Sequence, residues 1–502
     1  MLAAVTALAA LATDYTGTLT VTVNGESTSA ESTISVIPNG DDYTLSINNF
    51  VMGGIPVGNI VVTAPGTTSN GLTSIITSQD INITEGNDPN YGSWIGPTLG
   101  NVPINMVLAF NQYAMTTNID IYMAELGQTI NVKFAQDGEL TGYQIKNSGF
   151  ENFVESSGEP IAWHGFKSAS GVLAYLAPGS LGASDDSHSG SYSVVATSGS
   201  SWGVVGNGTF TTGRLNAASV QATNPANHSE MDKSSTATDN NDDLFYTAMN
   251  GRPDAMKFWF KFVPKTSTEK ASVSAIITDG TYYQDPEDQT YTNKLATAKN
   301  STIASTNTWT ELSVPFTYID KNIIGEALLV TFSTNATPGG GKSGDQLFID
   351  DIALVYNAAI TGITVKGEAL EGFSQDVQEY NFELADGETI ADSDIDATFI
   401  SEHAYLVKKV IETSEGYKVI VAVISNDLNT VKAYTINYTK ASTAVPGDVN
   451  GDGSVTSADI TALYNYLLNG DNSNIINGDQ NNDGQITSND VTAVYSILLG
   501  SN

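Results

Sequence analysis

The chain has 502 residues and no cysteine. That excludes disulfide staples, thiolate metal sites, a cysteine nucleophile and a lipid-modified cysteine within the sequence. Export stays open, because domains of ordinary size fold without staples. Basic residues are scarce, 20 Lys and Arg against 55 Asp and Glu, for a formal net charge of −35. Nucleic acid and anionic membrane surfaces are therefore excluded as partners, since phosphate would be repelled and not neutralised. Only four histidines occur (His164, His188, His228, His403), none at H-E-x-x-H spacing. A G-x-S-x-G elbow, a P-loop and a helix-opening G-x-G-x-x-G are also missing. No run of eighteen apolar residues exists, so no segment spans a membrane as a helix.

What the chain does contain is a repeated oxygen-ligand pattern near its C-terminal end. Asp448, Asn450, Asp452, Thr456 and Asp459 fall at loop positions 1, 3, 5, 9 and 12, with the Ser454 carbonyl available at 7. Thirty-one residues on, Asp479, Asn481, Asp483, Thr487 and Asp490 repeat the set, with Gln485 at 7. Gly453 and Gly484 stand at position 6, where such a loop turns sharply, and hard oxygens at these spacings suit Ca²⁺. Each loop leads into a helical stripe, Ile460, Leu463, Tyr464, Leu467, Leu468 and then Val491, Val494, Tyr495, Leu498, Leu499. The spacing predicts two helices that each bury one face. Residues 446–502 hold seven Asp and no Lys or Arg, and six of those Asp are loop ligands, so two Ca²⁺ are expected to be coupled to folding.

The duplicated loop and helix, closing on Asp at position 12, resembles a type I dockerin. The resemblance implies a module that docks onto a cohesin-like or other surface protein in secreted machinery acting on polysaccharides. Its recognition positions fall on Ser457 and Ala458, and on Ser488 and Asn489; the Ser-Thr pair usual in the family is absent here.

The remainder reads as a mainly β, multidomain chain. Residues 1–13 begin with an apolar run, Met1 to Ala12, that resembles the back half of a signal peptide without its basic start, so a secreted or cell-surface location is expected. Residues 14–142 alternate apolar and polar positions over about eight strands, with Asn24-Gly25 as a hairpin turn. This segment resembles a calycin-like, lipocalin-type up-and-down barrel, either holding a small apolar ligand or simply packed. Residues 143–357 open on Asn147-x-Gly149-Phe150-Glu151 and close on Ile349-Asp350-Asp351-Ile352. They resemble jelly-roll modules that bind carbohydrate, and in particular the carbohydrate metabolism domain of Bacteroidetes. Residues 358–440 suggest a small Ig- or cadherin-like sandwich, and 441–446 a linker into the dockerin-like module at 447–502.

Ring faces that stack on sugars are sought among Trp163, Trp202, Tyr282, Tyr283 and Tyr291, the site being placed at Trp202 and the polar loop 279–301 with its three tyrosines. Two consecutive tyrosines in a loop are expected to escape burial. Glu151 and Asp350, on the first and last strands, are expected to pair and hold a third Ca²⁺, or else to be surface carboxylates. Three functions stand: a glycan-binding protein attached through its calcium-folded module, a glycan hydrolase acting within 143–357, and a surface adhesin.

Overall fold

The computed structural model describes residues 12–123, 127–319, 323, 325–385, 387–440, 445–481 and 483–500. Most of the apolar start and of the 441–446 linker lie outside them. Eight antiparallel strands come first: β1 (Thr13–Val23), β2 (Glu26–Asn39), β3 (Asp42–Met52), β4 (Ile55–Ser69), β5 (Leu72–Asn82), β6 (Asn101–Phe110), β7 (Met115–Met123) and β8 (Gln128–Ala135). Each pairs with its sequence neighbour, and β1 also pairs with β8, Leu19 opposite Phe134 and Val21 opposite Val132, so the sheet closes into a barrel. The β1–β2 turn is Asn24-Gly25, both with positive φ, as the hairpin signal requires.

The two-residue period puts Leu19, Val21, Ile34, Val36, Leu45 and Ile47 inside. They and the facing apolar residues of the other strands leave a wholly apolar cavity of about 20 Å³. That is room for little more than one water-sized body. The barrel interior around this cavity is closely packed by side chains.

The next segment is a two-sheet sandwich. One sheet runs in the order Thr306–Pro315, Ala255–Val263, Gln346–Val355, Ser193–Thr197, Ser180–Ser184. The other is built on Thr209–Thr211, Ala327–Ser333, Ala271–Thr278, Lys294–Ile303 and Thr317–Tyr318, with Thr247–Ala248 alongside. Alternation in Ala255–Val263 turns Met256, Phe258, Phe260 and Phe262 into the core, against Phe332, Val330 and Ile349. Trp163 is fully enclosed there, with Phe150 and Phe210 around it, and its indole N–H reaches the Lys146 carbonyl at 3.1 Å. Residues 358–440 form a three-stranded sheet, Glu368–Ala369, Ile360–Val365, Ile395–Phe399, and a four-stranded one, Glu379–Leu384, Val431–Lys440, Gly416–Ile424, Tyr405–Glu412. The last described segment carries the two helices, Ser457–Asn469 and Ser488–Leu498.

Candidate calcium loops and binding surfaces

The two acidic loops fold almost bond for bond alike. Asp448 Oδ1 accepts the N–H groups of Gly451 (2.8 Å) and Asp452 (3.2 Å), and its Oδ2 that of Gly453 (2.8 Å). Asp479 accepts Asp483 N–H at 3.1 Å and Gly484 N–H at 2.7 Å. Asn450 donates to Asp452, and Asn481 to Asp483, both at 2.8 Å. Gly453 and Gly484 have φ of 83° and 84°, a backbone region that glycine enters without strain.

Position 12 has a second task. Asp459 Oδ1 accepts from Val449 (2.8 Å) and Asn450 (3.0 Å), and Oδ2 from Thr456 (2.7 Å); Asp490 repeats this with Gln480, Asn481 and Thr487. Each is also the third helical residue of a capping box with Thr456 or Thr487. Burial opposes the charge on both carboxyls, but the N–H groups aimed at them outweigh it and hold both below the usual carboxylate range. Among the described residues no three His, Cys, Asp or Glu side chains converge as a metal cluster; in each loop the third donor beside the Asp pair is an asparagine. Asp, Asn and Asp at positions 1, 3 and 5, with a carbonyl at 7, are a hard, oxygen-only set that fits calcium.

The helical stripes are only half buried, which corrects the expectation of one continuous buried face. Ile460, Leu463, Val491 and Val494 form the core with Val449. Tyr464, Leu467 and Leu468, like Tyr495, Leu498 and Leu499, are exposed; Leu468 and Leu499 stand 77% and 76% open. Ser457, Ala458, Ser488 and Asn489 are exposed on the first turns of the same helices. A module with so short a pair of helices closes over only one or two turns of each, so the outer turns remain as surface.

Residues 446–499 match the dockerin type I domain. The dockerin domain is thus the second of two segments with a family assignment, since residues 11–137 match the calycin-like β-barrel domain. Calcium is the ion that dockerin domains of this type take. No curated protein matches the chain. Among solved structures, it is similar to a candidate glycoside hydrolase from Bacteroides thetaiotaomicron, at 14% identity over 51% of this chain and 86% of that one, TM-score 0.31. A second, from Bacteroides vulgatus, shows 15% identity over 35% and 76%, TM-score 0.26. A carbohydrate-binding module specific for non-crystalline cellulose shows 12% identity over 42% and 93%, TM-score 0.22. At these TM-scores the likenesses decide neither activity nor ligand.

Outside the dockerin domain, the expected sugar site separates into two places. Tyr283 is fully buried, in the short strand Tyr283–Asp285, packed with Met231, Ile276, Ala327 and Leu329. Its hydroxyl donates to Glu287 at 2.8 Å. The expectation that both consecutive tyrosines are presented is corrected: strand alternation within the 279–301 segment sends one inward. Tyr282 donates to Glu230 (3.1 Å) and Gln284 (3.0 Å), and Tyr291 to Asp288 (2.9 Å), while the three rings lean on one another. Tyr291 bridges the other two rings, and of the three only Tyr282 is exposed.

Trp202 is different. It stands at the tip of a hairpin, Gly199–Ser201 to Val204–Gly206, with φ of 55° and 94% exposure. Pro178 packs under that hairpin so closely that a Cβ on Gly199 would meet its carbonyl oxygen at 1.8 Å. The turn before Pro178 carries Tyr175, 82% exposed, and Val172. Trp202 and Tyr175 are both exposed rings on segments joined through the Pro178 contact, and Tyr175 is a residue that the sequence reading missed. Its only signal there was an aromatic in a short apolar run, Val172 to Ala177, bounded by Gly171 and Pro178.

Glu151 lies outside any strand, and the last strand pairs instead with Ser193–Thr197 and Ala255–Val263, so the expected pairing of first and last strands does not occur. Both carboxylates serve one strap, residues 186–192. Asp350 accepts His188 N–H (2.8 Å) and Ser189 N–H (3.3 Å); Glu151 accepts Ser191 N–H at 3.0 Å. Burial pushes the Asp350 carboxyl up to about 6. The strap lies on the outer face of the five-stranded sheet, where the His188 ring stacks on Trp259 at 3.8 Å and Asp186 takes the Lys261 ammonium and the Trp309 indole N–H. Trp259 has one ring face covered by the protein's own loop.

Proposed function

We propose that this protein is a non-catalytic glycan-binding component that attaches, through its dockerin domain organised by two Ca²⁺, to a cohesin-type protein. The observation that carries the reading is the twinned exposed face of the dockerin helices. Ser457, Thr461, Tyr464 and Leu468 follow one another along one helix, and Ser488, Thr492, Tyr495 and Leu499 repeat them on the other. Exposed leucine and tyrosine in so acidic a module are a surface for a partner, since apolar area left in water gains free energy only when something covers it. The absence of cations from the domain favours a partner whose contact face is neutral or basic.

The jelly roll supplies the ligand-binding half, with Trp202 and Tyr175 as stacking rings. A bulky, exposed tryptophan held in the left-handed region is a conformation whose cost is tolerated where the ring has a use. Sugars bind to such rings through the apolar CH faces of the pyranose. The test is retention of the full-length protein, in Ca²⁺ and in EGTA, on immobilised cohesin domains and on a panel of insoluble polysaccharides. Calcium-dependent retention on a cohesin together with calcium-independent retention on one polysaccharide class is the expected result. Release of reducing ends from that polysaccharide would replace this reading with a hydrolase; retention on neither support would end it.

A further inference from the structure

Charge is distributed unevenly over the loops of the jelly roll. Those at 232–243 and 279–294 carry Asp232, Lys233, Asp239, Asp279, Glu287 and Lys294 among others. Four other segments, residues 168–184, 199–207, 215–229 and 335–341, contain no Asp, Glu, Lys or Arg. The fold brings these four together. Leu173 N–H donates to the Ala217 carbonyl at 2.9 Å, and Ser170 N–H to that of Leu215 at 2.7 Å. Asn207 Nδ2 donates to the Asn335 carbonyl at 3.2 Å, and its Oδ1 accepts from Gly339 N–H at 3.2 Å. Pro178 packs beneath the hairpin that carries Trp202, and a Cβ on Gly339 would meet that of Ala222 at 2.8 Å.

What this edge exposes is apolar and neutral polar in turn. Val172, Tyr175, Trp202, Val204 and Val220 stand in solvent. In the same segments Ser200, Gln221, Thr223 and Thr337 are exposed, each with a hydroxyl or amide that both donates and accepts. A pyranose without charge has the same two parts, apolar CH faces and a rim of hydroxyls. A carboxylate or sulfate is recognised instead by Arg or Lys, whose charge-assisted bonds offset the desolvation of the anion. Three cations border the segments. The Lys167 ammonium donates to the Ser157 carbonyl, and the Arg214 guanidinium lies over the Phe245 ring at 4.8 Å. Lys342, exposed, stands at the margin. One cation cannot neutralise a glycan whose charges repeat along its length, and a chain with a net charge of −35 repels it from a distance.

We propose that this edge of the jelly roll binds an uncharged polysaccharide and discriminates against glycans that carry uronate or sulfate groups. The proposal rests on the glycan reading above and names the class of ligand taken by its Trp202 and Tyr175 site. Discrimination comes from what the edge withholds: an anion laid against it gives up water and meets no group of opposite charge.

The test measures retention of the full-length protein on insoluble glucan, xylan, mannan and galactan, each plain, hydroxyethylated and carboxymethylated. EGTA is present throughout, so that Ca²⁺ cannot bridge carboxylates. The two substituents are of similar size and differ in charge. A polysaccharide that retains the protein in plain form should retain it when hydroxyethylated, and at least about tenfold more weakly when carboxymethylated. Ser200→Lys combined with Gln221→Lys adds two positive charges to a chain at −35, too few to change its long-range field, and should narrow that gap. Equal retention on plain and carboxymethylated forms would overturn the proposal and leave the glycan reading standing. A gap unchanged in the lysine variant would assign the discrimination to the whole chain's charge and overturn the role of the edge. Retention on a plain polysaccharide that survives Trp202→Asn with Tyr175→Ala would place the site elsewhere and overturn both. Retention on no polysaccharide would do the same, whether the edge then proves to bind phosphatidylcholine vesicles or a second copy of the chain.

Discussion

Replacing Trp202 by asparagine should raise the stability of the jelly roll while weakening its binding. Trp202 and Gly203 are the two central residues of the hairpin turn, with φ of 55° and 81°. Two-residue hairpin turns of this hand favour Asn-Gly, and a left-handed L-residue other than Asn or Gly costs about 1–2 kcal/mol. The ring is 94% exposed, so its removal forfeits almost no buried apolar area. Relief of part of the strain gives a gain of about 0.5–1 kcal/mol, or roughly 1–4 °C in Tm for a domain of this size. Scanning calorimetry of the full chain would read it as an upward shift of one transition with the others unmoved. On a polysaccharide that retains the wild type, the same variant should lose at least about tenfold in affinity, the effect of removing an aromatic anchor. A lowered Tm would refute the strain argument. A raised Tm with unchanged affinity would remove Trp202 from the site.

Tyr283→Ala should act on stability and not on affinity, costing about 3–5 kcal/mol as a core truncation does, while Tyr283→Phe should fold with unchanged glycan retention; weaker binding by a folded Phe variant would contradict this. Asp448→Ala combined with Asp479→Ala should leave residues 446–500 without helical amide protection at millimolar Ca²⁺, since each loop loses its position-1 ligand and the acceptor of its turn. Protected helices in that double mutant would show that calcium does not organise the module. The carboxyls of Asp459 and Asp490 lie below their ordinary range in the folded state, so they contribute stability above the unfolded value of about 3.9 and lose it as the pH falls through the folded value. Far-ultraviolet circular dichroism should therefore show the helices melting below about pH 4, later than carboxyls of ordinary pKa would allow. Leu468→Lys or Leu499→Lys alone should leave cohesin retention in place through the other helix, and the pair together should abolish it while calcium binding persists; loss in either single variant would mean that one face alone docks.

The dockerin loops were legible because their chemistry is local. Side-chain oxygens at 1, 3, 5 and 12, a glycine at 6 and the capping threonine all lie within twelve consecutive residues, so spacing alone specifies the bonds from Asp448 to Gly453. The barrel was legible for a similar reason: a period of two in strand after strand, with Asn-Gly at a turn, leaves an up-and-down sheet little choice. Tyr283 was misread because alternation assigns inside and outside only once a strand is known to be there, and the strand Tyr283–Asp285 exists only through its pairing with His228–Met231. The same holds for Glu151 and Asp350, whose shared strap lies between them in sequence and makes hydrogen bonds that no spacing encodes.

Composition and local pattern by themselves determined that this is an acidic, mainly β chain, with a run of about eight alternating strands towards one end and a repeated loop of calcium-ligand spacing towards the other. Those conclusions rest on periodicity, charge and ligand spacing, which are properties of neighbouring residues. Only the tertiary structure decided that the barrel is packed, that half of each dockerin stripe faces solvent, and that Tyr175 and Trp202 both stand exposed. It alone gathered four uncharged segments, distant in sequence, at one edge of the jelly roll. Burial and contact are set by what the rest of the chain places against a residue, and that information is not carried by the residue or by its neighbours in sequence.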